Sequence, residues 1–288
     1  MKALNQLFKA LNVRANVFHN GQYFGSWAVD TSGSGSTSFH LVTHGNCVIS
    51  VSGQQHHLRA GDAIFLPNDA EHTISDSFNT KAQTNQQCSV PMTEPLQETS
   101  TGLICGNLIN EHPLGASLMR ALPPAIVIKH DKHASCSALI ALLLEEARRA
   151  DQGAHFLLDH LADALFFILI RDHANASSGL LAAILHPQLR PAIELIHQNA
   201  DKPLSNESLA DAAAMSRSAF AAQFKHSVGM PPAEYQTQWR MLRAYRWLAD
   251  EQISTLDAAL KSGYESEASF SKAFKRIIGI GPGEARRQ

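Results

Sequence analysis

Among the side chains of the first 110 residues able to hold a soft metal or move a proton, four are singled out: His40, Cys47, His72 and Cys105. Two imidazoles and two thiolates suit tetrahedral zinc better than iron or manganese, which favour more oxygen and nitrogen. With Gly45-Asn46 read as a two-residue hairpin turn, His40 lies opposite Val51 and His44 opposite Cys47. Cross-strand partners share a face, so His40 and Cys47 point to one side together with Ile49 and Val51. Three chemistries stay open for the set: a zinc site, an empty or small-molecule pocket lined by the same residues, and oxidant sensing by Cys105 with Cys88. Against the first, lone His and Cys residues in a barrel commonly pack with a single hydrogen bond. A catalytic metal would need an open position with an acid or base beside it, and no carboxylate accompanies His40 in its strand.

A second kind of chemistry is written twice. "MSRSAFAAQFKHSVGMPP" (215–232) returns as "ESEASFSKAFKRIIGIGP" (265–282), pairing Phe220 with Phe270, Phe224 with Phe274, Lys225 with Lys275, Gly229 with Gly279 and Pro232 with Pro282. Upstream, Ser205 pairs with Ser254 and Ala214 with Gly263 after a one-residue shift. A repeat array needs three or more units to bury its faces, so two copies imply a paired module. Each copy opens on a capping serine followed by an acid, runs through an alanine-rich helix and a short turn, and ends in a helix closed by glycine. Phenylalanines spaced by four make one buried stripe on the second helix and leave the opposite face free. That face carries Arg217, Ser218, Ala221, Ala222 and Lys225 in the first copy and Glu267, Ala268, Ser271, Lys272, Lys275 and Arg276 in the second. Lysine and arginine reach phosphates or guanine, serine serves either partner and alanine packs on thymine methyls. An isolated copy would read first as a solvated helix face.

With "SLADAAAMSRSAFAAQFKHSVGMPPAEY", "WRMLRAYRWLAD" and "DAALKSGYESEASFSKAFKRIIGIGPGEAR" in order and without a gap, residues 189–288 resemble the DNA-binding domain of AraC-type transcription factors. The resemblance implies two helix-turn-helix units joined by a long helix over 236–249, with Arg217, Ser218, Ala221 and Ala222 facing one groove and Glu267, Ala268, Ser271 and Lys272 the next. Alanines 221 and 222 stand where such domains often carry long polar side chains, which shifts the first unit toward apolar and phosphate contacts. In the linking helix Trp239, Leu242, Tyr245 and Leu248 face the units, and Arg240 is assigned a structural role beneath the second.

The positioning elements upstream are short alternating runs between residues 22 and 110, broken by glycines at turn-like intervals, which argue an antiparallel sandwich or barrel. "GDAIFLPNDAEH" (61–72), "FHLVTHG" (39–45) and "LICG" (103–106) resemble the small cupin barrel that AraC-type regulators use for sensing. By that resemblance His72 re-enters where cupins place a metal histidine, and a cysteine response to oxidants becomes an option for Cys88 and Cys105. The start of the chain, "MKALNQLFKALNVRANVF", reads as an amphipathic helix, and 76–101 as a polar insertion without a period. Two helical patterns follow, one striped by Leu139, Leu142, Leu143 and Glu146, the other by Leu157, Leu161, Leu165, Ile168 and Leu169. In the family such a pair forms a dimer interface; the other reading is a packed helical hairpin inside one subunit.

At 288 residues one core is too few, so the expected fold is α+β: a cupin-like sensing and dimerisation domain over 1–172, a linker over 173–188, and a DNA-binding domain over 189–288. Lys and Arg against Asp and Glu number 13 to 11 after residue 188 and 11 to 15 before it, about +2 against −4, too mild to signal DNA unaided. Non-specific DNA coating relies on many more cations. No apolar run approaches a membrane span, and four scattered cysteines without Cys-x-x-Cys suit a reducing compartment, so the expected location is the cytoplasm. The expected function is a promoter-binding transcription regulator, carried as an activator, that is not an enzyme. Its expected partners are promoter DNA, RNA polymerase, a second copy of the chain, and a small-molecule, metal or oxidant effector.

Overall fold

The computed structural model describes residues 2–11, 13–33, 35–76, 89–96, 99–109, 113–120, 122–131, 134–173 and 179–287. In chain order the elements are α1 (Lys2–Leu11), β1 (Arg14–Tyr23), β2 (Ala28–Asp30), β3 (Thr37–His44), β4 (Asn46–Val51), β5 (Gln54–Arg59), β6 (Ala63–Leu66), β7 (His72–Ser75), β8 (Ser89–Pro91), β9 (Thr101–Ile109), α2 (Pro113–Arg120) and β10 (Ile126–Ile128). The remainder is helical: α3 (Ala134–Glu146), α4 (Ala154–His173), α5 (Gly179–Leu185), α6 (Leu189–Gln198), α7 (Asn206–Ala212), α8 (Arg217–Val228), α9 (Pro232–Ala249), α10 (Thr255–Lys261), α11 (Glu267–Ile278) and α12 (Pro282–Ala285). A sheet-rich first part and a helical second part make the chain α+β. It divides into two compact units, one of residues 13–109 and 122–172, the other of 1–12, 110–121 and 173–288.

The first unit is built on two antiparallel sheets, a six-stranded one in the order β10-β6-β3-β9-β1-β8 and a four-stranded one in the order β2-β7-β4-β5. Between them lies an apolar cluster of Trp27, Val42, Cys47, Ile49, Val51, Leu58, Ile64, Leu66, Ile74, Leu103 and Cys105. The expected hairpin at Gly45-Asn46 does not form: β3 belongs to the six-stranded sheet and β4 to the four-stranded one. Gly45 turns the chain between sheets at φ +70°, where an added Cβ would come within 2.6 Å of the Ser100 carbonyl. The hairpin lies one strand later, where Ser52 and Gly53, both at positive φ, join β4 to β5. Two successive positive-φ residues give the turn whose twist matches paired strands. His44 therefore pairs with Gly102 and Cys47 with Leu58.

The helix expected to run through Phe18 stops at Leu11, and β1 begins at Arg14. Its alternating buried Ala15 and Val17 carry a period of two that the amphipathic reading absorbed into the helix. Among the described residues no strand lies beyond the first part of β1, and α4 covers that edge: Asp163 and Asp159 accept the backbone N–H groups of Ala15 and Val17. Such capping removes a free sheet edge. Phe166 of α4 packs 6.3 Å from Phe65 of β6. The buried line on α3 is Cys136, Ile140 and Leu143, continued by Ala147 just past its end, which leaves Leu142 outside; on α4 Phe156 and Leu157 are also exposed.

The second unit collects α1, α2 and α5 to α12. Residues expected to form a linker instead carry α5, whose Leu180, Leu181, Ala183 and Ile184 are buried. α1 buries Ala3, Leu4 and Leu7, and the Arg246 guanidinium of α9 donates to the Lys9 carbonyl. The expected polar insertion contributes β8, which pairs with β1 at Gly21 to Tyr23, while residues 77–88 and 97–98 lie outside the described set.

Candidate functional site

In the helical unit, four serines begin the four helices of the duplicated pairs. Ser205, Ser216, Ser254 and Ser266 each accept a backbone N–H from three residues onward, satisfying one of the donors a helix start leaves free. Gly229 and Gly279 close α8 and α11 in the left-handed conformation. Phe220 and Phe224, and Phe270 and Phe274, are fully buried, so the opposite faces of α8 and α11 point outward. Arg217, Ser218, Ala222 and Lys225 are exposed on α8 with Ala221 half-buried; Glu267, Ala268, Lys272, Lys275 and Arg276 are exposed on α11 with Ser271 half-buried. All eleven residues nominated from the sequence thus lie on the two outward faces. Arg217 is held by an ion pair with Glu207 of α7.

α9 fixes the two pairs by different chemistry. Toward the first, Tyr235 packs edge-on against Phe224 and bonds His197 across 2.6 Å, and the His197 ring stacks on Trp239 at 3.6 Å. Gln236 clamps the Leu204 backbone, accepting its N–H and donating to its carbonyl. Burial drives the His197 pKa down to about 3, so this imidazole is neutral. Toward the second, Arg240 donates to the Ser262 carbonyl at 3.2 Å and lies over the Tyr264 ring, the structural role its position implied.

In the barrel, His40 and His72 come from opposite sheets and meet at 3.1 Å between their ε nitrogens. His72 Nδ1 lies 2.7 Å from the Ala70 carbonyl, which places its hydrogen there and leaves Nε2 as acceptor. Thr31 Oγ1, 2.8 Å away, and His40 Nε2 both converge on that acceptor. Thr31 engages the single lone pair there at the shorter distance, and in either tautomer of His40 its buried Nδ1 has no hydrogen-bond partner among the described residues. Burial, then the neighbouring His72 and His19, hold the His40 pKa well below the ordinary histidine value.

His40 pairs with Cys105, and Cys105 on its other side with His19, so one row across β3, β9 and β1 carries all three. His19 lies tilted against Tyr23 with ring centroids 5.0 Å apart, Tyr23 stacks at 4.6 Å on Trp27, and His19 Nε2 is buried without a hydrogen-bond partner among the described residues. Sequence reasoning missed His19, Tyr23 and Thr31; the alternation in β1 was the signal for the first two. Cys47 sits in the apolar cluster on the other sheet. Burial pushes its thiol up to about 12, and Cys105 is likewise raised, by burial and then by Cys47. Of the four residues nominated together, the two histidines touch and the two thiols lie in the apolar cluster. Among the described residues no group of three or more His, Cys, Asp or Glu side chains is arranged to hold a metal. Cys88 falls outside the described residues. Among those residues no helix is long and apolar enough to cross a membrane.

Comparison with known proteins agrees with both halves. Residues 2–175 match the Cupin family model and residues 209–288 the Helix-turn-helix domain model. An HTH-type transcriptional regulator of Haemophilus influenzae is 29% identical over 298 residues, covering 100% of this chain and 99% of the relative. HTH-type transcriptional regulator AlkR of Acinetobacter baylyi is 29% identical over 306 residues, covering 100% of both. RCS-specific HTH-type transcriptional activator RclR of Escherichia coli is 26% identical over 299 residues, covering 100% of this chain and 98% of the relative. The chain therefore belongs to the AraC-type transcription regulators that join an N-terminal cupin domain to a C-terminal DNA-binding helix-turn-helix domain.

Proposed function

We propose that the α7–α8 and α10–α11 pairs are two helix-turn-helix units reading successive major-groove segments of promoter DNA, and that the barrel senses an effector at the His40–His72 pair. The observation that carries the sensing half is the fully buried His40 Nδ1, which has no hydrogen-bond partner among the described residues. A stranded buried polar atom costs roughly 1–3 kcal/mol, a cost that a bound polar ligand group removes. The outward faces of α8 and α11 support the DNA half. A duplex selected from a random pool by the full chain, then titrated with wild type and His40→Leu, separates the two halves. DNA affinity unchanged by His40→Leu, with any effector response lost, is the expected result. Loss of both would make His40 a residue of folding alone.

A second reading of the barrel is zinc. It is favoured by two converging ε nitrogens, one belonging to a ring whose other nitrogen is held by a carbonyl, the support that metal-bound imidazoles usually have. Ligand energy is also folding energy, so substituting His40 or His72 should lower zinc content and melting temperature together, and the same measurements on Cys47 and Cys105 variants test whether either thiol joins them. Full zinc loading in both His72→Ala and Cys105→Ser rejects it. An oxidant response through Cys105 and Cys88 is the third option; the raised Cys105 thiol disfavours the reactive thiolate. Hypochlorite treatment of wild type and Cys105→Ser, with DNA binding as readout, decides it. Leu142, Phe156 and Leu157, exposed on α3 and α4, support association of two copies through these helices. Sedimentation of Phe156→Ser with Leu157→Ser as a monomer, against a wild-type dimer, is the expected outcome.

A further inference from the structure

His19 and Cys105 stand on two strands that continue directly into the helical unit. β1 follows α1, which ends at Leu11, and β9 ends at Ile109 ahead of α2; both helices belong to the helical unit. Arg14 pairs with Ile109, so the two passages lie side by side, and further along the same ladder His19 pairs with Cys105. The ladder shifts register at one place, between Val17 and His19, where Phe18 is left 51% exposed. A bulge bends its strand and aims the side chain beside it, so a change at His19 is passed to the Arg14 end. His40 reaches the ladder through its own pairing with Cys105. The remaining passages, from α2 into β10 and from α4 into α5, join elements that carry none of these residues.

Both helices are anchored at their far side. α1 packs on α6 and α9 with Leu7 fully buried, and Arg246 of α9 holds the Lys9 carbonyl. α2 packs on α5 and α9 with Leu118 fully buried, and α5 packs in turn against α8, one of the two helices assigned to DNA.

We propose that the β1–β9 ladder, jointed at Phe18, carries the state of the His40–His72 site to the DNA-reading helices through α1 and α2. The proposal rests on the reading that the barrel senses an effector, and adds the route by which it acts. Coupling between two sites is reciprocal, so DNA bound to the helices must alter the ladder in turn. The duplex alone therefore serves as the probe, whatever the effector is.

The experiment is hydrogen exchange of the full-length chain with and without its selected duplex, read over β1 and β9 and, as reference, over the β4–β5 hairpin, whose strands do not continue into the helical unit. Saturating duplex should change exchange over β1 and β9 by about fivefold or more and leave the hairpin unchanged. Two variants loosen the anchors: Arg246→Gln releases the Lys9 carbonyl, and Leu118→Ala shortens the buried side chain of α2. Each should bind the duplex within about threefold of wild type and lose at least about half of the exchange response. Arg246 is only half-buried, so Arg246→Gln decides the matter should Leu118→Ala fail to fold. A response undiminished in the folded variants, or one spread equally over the hairpin, overturns the route and leaves the sensing reading standing. No response in wild type at full occupancy overturns the route and the sensing reading together.

Discussion

In the first helix pair Arg217 is tied to Glu207, and α8 otherwise offers Ser218, Ala221, Ala222 and Lys225; in the second, Lys272, Lys275 and Arg276 are exposed and make no ion pair among the described residues. The skeleton is shared: serine caps, paired phenylalanines and a left-handed glycine after each second helix. The supports differ, since the first pair leans through Tyr235 on a neutral buried histidine and the second hangs on the Arg240 guanidinium. A duplicated fold has thus kept the residues that set its geometry and varied those that set its charge. The two pairs should separate under acid, under backbone substitution and in their share of DNA affinity.

Acid should have the largest effect. The His197 pKa is about 3 in the folded chain against about 6.5 in an unfolded one. The unfolded state therefore binds more protons between those values, so the histidine's contribution is whole above about 6.5 and declines as pH falls toward 3. The slope approaches about 1.4 kcal/mol per pH unit. Hydrogen exchange should show α6 and α8 losing protection before α11 as pH is lowered, and His197→Gln should flatten that dependence. Equal loss in α8 and α11 would break the distinction between the supports.

The turn position gives the next contrast. Ala214 at φ +53° and Gly263 at φ +73° are aligned. A Cβ on Gly263 would come within 2.5 Å of the Asp201 carbonyl, so Gly263→Ala combines left-handed strain with a backbone clash. A loss of about 2–3 kcal/mol in urea unfolding is expected. Ala214→Gly relieves the same strain in the first pair and should change stability by less than about 1 kcal/mol.

Charge gives the smallest and most specific contrast. Lys272→Ala should weaken DNA binding by about 1–2 kcal/mol, altering sequence preference if it reads a base, or lowering the salt slope by about one if it meets phosphate. Arg217→Ala should cost less, because Glu207 already engages that guanidinium, and Glu207→Ala should tighten binding by freeing it. Titrations on selected and scrambled duplexes at two salt concentrations measure all three.

Much of this was legible in the residues because local rules governed it. Capping serines, phenylalanine spacing and terminal glycines act within a few residues, so both helix pairs and all eleven outward residues could be read directly. The barrel site was legible by type and not by arrangement. His40 and His72 were nominated, yet their meeting depends on Gly45 carrying the chain from one sheet to the other, a long-range choice that the local Gly-Asn signal imitated as a hairpin. That error set His40 and Cys47 on one sheet. His19 was lost because β1 follows an amphipathic helix so closely that one period hid the other. The burial of α5 depends on helices distant in sequence and left no local mark.

The central claim, that two helix pairs read one DNA face in successive grooves, is tested most directly by hydroxyl-radical footprinting of the full-length chain on its selected duplex. Two protected segments per chain, on one side of the duplex and about 34 Å apart, are predicted, with Lys272→Ala thinning one and leaving the other. A single protected segment per chain would contradict it.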